Sequence, residues 1–111
     1  MHRAPLIELA TAHFRRRGYA VDRNVIVEGL SGLPRRFDLV VVERGGGRRP
    51  VWIKDWKRTV GVNMVINLDK ASMDVGLSNP ILISEKFSGH AKAYANRQGI
   101  TLLTRREIAG D

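Results

Sequence analysis

Residues 51–58, VWIKDWKR, constrain this chain more than any other stretch. Val51, Trp52 and Ile53 have the bulk and β-branching of a buried strand, yet the residues that follow crowd lysine, aspartate, tryptophan and arginine into too short a space for a solvated loop. Side chains alternate across a strand. Asp55 and Lys57 therefore share one face, and Trp52, Lys54 and Trp56 share the other. An acid and a lysine two apart on one face, beside a second acid from a neighbouring strand, can hold a divalent ion next to a phosphate ester. Asp38, at the start of FDLVVVE, is the second acid available.

The rest of the chain supplies the elements around this pair of strands. Pro5 and the stripe Leu6, Leu9, Ala10, His13 and Phe14 predict a helix over about 5–17, ended by Gly18. Glu8 falls at the edge of that stripe, placed either in solvent, where a first-turn acid helps the helix dipole, or along a cleft margin. YAVDRNVIVE reads as a strand over about 20–28, GLSGLP (29–34) as a turn, and 35–43 as a second strand. GGGRRP (45–50) reads as a flexible connection before the third, making an antiparallel meander. The register of the meander is not readable from the sequence. A helix follows over about 61–75, then PILIS as a short strand covered on both faces. A helix capped by Ser88 and stopped by Gly99 comes next, then ITLLT as a last strand and RREIAGD as a short helical or frayed tail. The order α-β-β-β-α-β-α-β puts a right-handed crossover in the second half. The sheet should therefore be mixed.

At 111 residues the chain reads as one domain. It holds no cysteine, which excludes disulfides and cysteine-based zinc sites and fits a cytoplasmic protein. His2, His13 and His90 show no ligand spacing. The longest wholly apolar run, 39–42, is far short of the roughly 20 residues that span a bilayer, and no signal-type apolar region opens the chain. Lys and Arg number 19 against 11 Asp and Glu, a net charge of +8. Residues 1–58 carry thirteen of those bases and six of the acids, so nearly all the surplus lies in the half with the unusual strand. Such a surface favours polyphosphate partners, and a soluble basic protein with no partner is the plainer alternative.

A helix ending in RGYAV, a strand with FDLVVV, a strand with KDWKRTVGV, and then PILIS and FSGHAKAYANRQGITLL resemble the PD-(D/E)xK nuclease superfamily, and within it the Mrr-like type IV restriction endonucleases and their archaeal relatives. The most specific parts are Lys54, Trp56, Val60 and Gly61, and then Phe87, Ser88, Ala91, Ala95, Gly99 and Ile100. The resemblance implies a restriction-endonuclease-like α/β fold in three layers, a mixed central sheet flanked by helices. It also implies hydrolysis of DNA phosphodiesters with Mg²⁺ or Mn²⁺. Asp38 matches the acid of the second strand, and Glu8 stands where a helix glutamate often assists. On the third strand two registers stay open. Taken from Lys54, Trp56 and Gly61, the family lysine is Lys54 and the acid two before it is replaced by Trp52. Taken from the acid-x-lysine rule, the triplet is Asp55, Trp56 and Lys57.

The resulting candidates are Asp38 and Asp55 as metal ligands, Lys57 or Lys54 to orient water, and Glu8 to assist. Arg15, Arg16, Arg17, Arg35, Arg36, Arg48, Arg49 and Arg58 are the candidates for DNA backbone contacts, which give affinity without sequence preference. A homodimer would place two sites on the two strands of a duplex. Plainer roles stand beside these: Asp38 salt-bridged to Arg35 or Arg36, Asp55 and Lys57 as a surface ion pair, and the two tryptophans as core. The rival function is a catalytically inactive DNA-binding or assembly module of the same fold.

Overall fold

The three-strand meander and the crossovers after it build one mixed sheet, in the order β1-β2-β3-β4-β5. The computed structural model describes residues 3–110; His2 lies outside them. The elements are α1 (Leu6–Arg16), β1 (Ala20–Glu28), β2 (Pro34–Val42), β3 (Arg48–Lys54), α2 (Val62–Asp74), β4 (Ile81–Ser84), α3 (Gly89–Gln98), β5 (Thr101–Thr104) and α4 (Arg105–Ala109). β1, β2 and β3 pair antiparallel, whereas β3, β4 and β5 pair parallel, as the crossover requires. Strand β4 is buried along its whole length between β3 and β5, which is why ILIS carries no polar alternation until its last residue.

Each face of the sheet is covered. On one, Leu6, Ala10 and Phe14 of α1 and Ile108 of α4 pack on Leu39, Val41, Val51, Ile81 and Ile83. On the other, Val65, Leu68 and Ala71 of α2 and Ala91 and Ala95 of α3 pack with Phe37, Val40 and Leu82. The result is the three-layer arrangement expected for a restriction-endonuclease-like fold. No helix among the described residues is long and apolar enough to cross a membrane.

Both ends of β3 differ from the sequence reading, and the tail takes the helical of its two expected forms. Strand β3 starts at Arg48 rather than after Pro50, and the turn is confined to residues 43–47, closed by Glu43 N–H donating to the Gly47 carbonyl at 2.8 Å. Pro50 is compatible with an inner strand because β4 first pairs at Ile81, opposite Val51, so β3 has a single neighbour at Pro50. At its other end β3 stops at Lys54, and residues 55–59 leave the sheet. The tail is an ordered helix, α4, because Thr104 and Glu107 form a reciprocal capping box at its start.

Strand β2 changes facing in its middle. Leu39 and Val41 belong to the α1 side, but Phe37 and Val40 both belong to the α2 side. The irregularity falls at Asp38. Pairs Arg23↔Leu39 and Val25↔Phe37 are formed, while Asn24 and Asp38 between them are not paired, and Asn24 adopts the left-handed conformation with φ 52°. The outer half of the β1–β2 hairpin thereby turns its apolar face toward α2.

The hairpin tip is fastened to α2 by one side chain. Asp74 accepts from Ser31 N–H at 2.9 Å, Ser31 Oγ at 2.7 Å and Arg35 Nε at 2.8 Å, and its own carbonyl accepts from Leu30 N–H at 2.9 Å. A Cβ on Gly29 would lie 1.9 Å from the Asp74 carboxylate. The Ser31 and Arg35 hydrogen bonds hold the Asp74 carboxyl down at about 2, below its ordinary 3.8. Because the folded-state value is depressed, the stability Asp74 contributes is present above its unfolded pKa and is lost as pH falls from about 4 to about 2. Acid unfolding followed by circular dichroism should therefore show a shallower loss over that window in Asp74→Asn than in the wild type. Gly29→Ala should cost about 1–3 kcal/mol by overpacking, and most of that cost should disappear in an Asp74→Ala background.

Candidate active site

Strands β2 and β3 part at Asp38. Their last ladder pair on this side is Leu39↔Val51. Beyond it the Asp38 carboxylate takes the place of a backbone partner, accepting from Ile53 N–H through Oδ2 at 2.7 Å. Its Oδ1 meets Arg36 Nη1 at 3.1 Å, so the salt bridge to Arg36 weighed as Asp38's plainer role is present. Trp52 Nε1 donates to the Arg36 carbonyl at 2.8 Å, which fills the gap between the strands with an indole. Arg36, Asp38, Trp52, Ile53 and Lys54 thus collect at one fork.

Lys54 ends β3, and its carbonyl is anchored by Ser84 Oγ at 2.7 Å. Its ammonium lies between two indoles, 5.3 Å from the Trp52 ring centroid and 5.8 Å from that of Trp56. Arg58 stacks on Trp56 with its guanidinium carbon 4.0 Å from the centroid. Both tryptophans also pack against the α2-side core, Trp52 facing Phe37 at 6.4 Å, and the Trp56 indole N–H is buried without a hydrogen-bond partner.

Asp55 makes its hydrogen bonds on the α1 side. Its Oδ2 accepts from Leu6 N–H at 2.8 Å and its Oδ1 from Arg105 Nη2 at 2.8 Å. Helix α1 begins after Pro5, which has no side-chain acceptor to offer, and Asp55 satisfies an open N–H of its first turn from across the fold. Arg105 also binds Glu85 through Nε and donates to the Ala4 carbonyl at 2.7 Å, and Arg3 closes on Glu85 at 2.9 Å. Burial alone would raise the Glu85 carboxyl, but the hydrogen bonds from Arg105 and Arg3 outweigh it and hold the group below the usual range. Burial would likewise lower Arg105, and Glu85 and Asp55 raise it instead. Sequence reasoning missed this network. Its partners lie up to 101 positions apart, and an arginine in a terminal tail carries no local signal.

The remaining candidates scatter. Lys57 is exposed beyond the end of β3. Glu8 is exposed on α1 and lines a shallow groove with Thr11, Arg15, Arg16 and Arg23, the last paired with Leu39 beside Asp38. Arg36 and Arg58 belong to the fork and its margin. Arg35 is bound to Asp74, and Arg49 to the Asn79 carbonyl and Thr101 Oγ1. Arg48 starts β3, about 20 Å of strand from Lys54, and Arg17 shares a surface depression with Glu43 and Arg44 near that same end.

Among the described residues no group of three or more His, Asp or Glu side chains is placed to hold a metal ion. The side-chain donor at the fork is the Asp38 carboxylate, and strand geometry directs the Ile53 carbonyl across the strand toward the same side as the Ile53 N–H that Asp38 accepts. Magnesium is commonly held through one or two carboxylates, with waters and substrate phosphate oxygens completing its shell. The donor set fits an ion shared with a phosphate and makes no closed protein cage.

The solved structure of a protein of unknown function, AF1548, superposes with a TM-score of 0.80 at 24% identity, covering 91% of this chain and 58% of that one. The structure of an EndoMS–dsDNA2 complex superposes with a TM-score of 0.66 at 14% identity, covering 94% and 45%. The chain thus spans about half the length of these structures, and at such identities the likeness concerns the fold. Among curated proteins no sequence matches. The Mrr_cat family model, described as restriction endonuclease, matches residues 1–110, and the chain belongs to that family.

Proposed function

We propose that this chain hydrolyses phosphodiester bonds in DNA, with the reaction centred on the β2–β3 fork. The observation that supports this reading most is the half-buried Asp38 carboxylate, fixed by Ile53 N–H at the point where the strands part. Asp38, with the Ile53 carbonyl, would hold Mg²⁺ or Mn²⁺ jointly with a DNA phosphate. Such an ion supplies Lewis acidity and a more acidic bound water. Asp38 keeps its carboxylate oriented toward the fork because the backbone N–H pins one oxygen. Lys54, at the end of the paired strand, supplies a fixed positive charge for the charge that develops on the phosphate. Arg58, stacked on Trp56 beside it, and Arg36, paired with Asp38, would contact neighbouring phosphates. In this assignment Asp55 is a fastening residue for α1, while Lys57 and Glu8 lie at the margin. A homodimer in the cytoplasm, with one fork on each strand of a duplex, completes the proposal.

A second reading is supported by Trp52. It occupies the position two before Lys54 where the acid-x-lysine pattern needs a carboxylate, and an indole offers a metal no oxygen. Under that reading the chain binds duplex DNA with strong salt dependence and does not cut it.

Cleavage of labelled plasmid, linear, single-stranded and branched DNA with Mn²⁺, Mg²⁺ or EDTA separates the two. Metal-dependent cutting is expected, and Asp38→Ala should lower it by at least about 100-fold, in line with loss of a group acting at the reacting centre. Asp55→Asn should keep cutting near the wild-type rate while lowering stability by about 1–2 kcal/mol, as loss of a helix cap does. Cutting that survives Asp38→Ala but is abolished in Asp55→Asn would move the reaction to Asp55 and Lys57. Tight binding without cutting in any metal would leave the DNA-binding module.

A further inference from the structure

The salt bridges near the fork pair Asp38 with Arg36, and Asp55 and Glu85 with Arg105. Lys54 has no carboxylate partner among the described residues, and its ammonium rests instead between two indole faces, each within the ~6 Å over which a ring attracts a cation. The distinction is chemical. A carboxylate compensates an ammonium, and the pair must break before a phosphate can use it. An indole face attracts through its quadrupole and leaves the full charge available. The cage is itself braced: Trp52 by its N–H on the Arg36 carbonyl and by Phe37, Trp56 by the Arg58 guanidinium stacked on it. A lysine stem held in this way loses less rotamer freedom when its head group is engaged.

We infer that the fork carries a phosphate-binding subsite built on a caged lysine: Trp52 and Trp56 position Lys54, which with Arg58 takes a DNA phosphate without any metal ion. This deepens the DNA reading above and rests on it. Trp52 and Trp56 are positioning residues that act through Lys54. Metal is then required for cutting and not for this contact.

Two measurements test the subsite. The first needs no DNA. Ring currents should move the ε-methylene protons of Lys54 upfield of those of the other four lysines in a proton–carbon correlation spectrum of the wild-type protein, and Trp56→Phe should change that shift. An unshifted resonance overturns the cage whatever the protein does to DNA. The second is anisotropy of a labelled duplex in EDTA. Lys54→Met should weaken binding by about tenfold and flatten its salt dependence by about one phosphate contact. Trp52→Leu, which fills space without an aromatic face, should weaken it by about 3- to 30-fold. Trp52→Phe, which restores a face, should recover most of that loss, and Trp52→Leu with Lys54→Met should bind no more weakly than Lys54→Met alone. Equal losses in Trp52→Leu and Trp52→Phe, additive losses in the double variant, or no duplex binding in EDTA each overturn the subsite. The metal-dependent cleavage panel judges the hydrolytic reading separately, since cutting with Mn²⁺ can occur whether or not this subsite exists.

Discussion

A single backbone donor sets the geometry of the fork. Where β2 and β3 stop pairing, the N–H of Ile53 in the middle of the sheet loses its strand partner, and an unpaired buried N–H is costly. Asp38 supplies the acceptor from its side chain. A side chain reaching across in this way requires the backbone of β2 to leave the ladder, which accounts for the unpaired Asp38 and Asn24 and for the change of facing between Phe37 and Leu39. Three consequences share that cause. The outer hairpin turns toward α2, a gap opens between the strands, and a carboxylate is fixed at its mouth.

The opposite face of the same strand end is held by charge. Asp55, one residue beyond β3, satisfies the first turn of α1 and pairs with Arg105, which also takes Glu85 from the end of β4 and the Ala4 carbonyl. One guanidinium with its several donors in a fixed fork ties the chain's beginning, two strand ends and its last helix together. The two acids of the central strands therefore serve different layers. Asp38 faces the space where the strands part, and Asp55 closes the α1 layer.

Much of this was legible in the sequence. Periodicity, Pro5, Gly18, Ser88 and Gly99 located the helices to within a residue or two, and the crossovers implied the mixed sheet, because these signals depend on local backbone preferences. Strand alternation places Trp52 and Lys54 on one face, while Trp56 reaches the lysine from beyond the end of β3. What was not legible depends on register and on distant partners. That Asp38 meets Ile53 requires knowing where the β2–β3 ladder ends, and a one-residue slip would have turned either acid to the other face. The end of β3 at Lys54 was hidden for a related reason: Asp55 leaves the strand because Leu6 and Arg105, 49 and 50 positions away, hold it.

The charge at the fork follows from one substitution of type. Arg36, Lys54 and Arg58 bring three positive charges against the one carboxylate of Asp38, leaving +2 where a second acid at position 52 would leave +1. In the register that takes Lys54 as the family lysine, an indole at position 52 offers a metal no oxygen and leaves the lysine without a neutralising carboxylate. Both changes act in the same direction, since a site with fewer carboxylates holds a free cation less well and an anion better. If the fork works as proposed, a phosphate that lowers the local positive potential would favour entry of a metal ion, and by linkage the ion would favour the phosphate to the same degree.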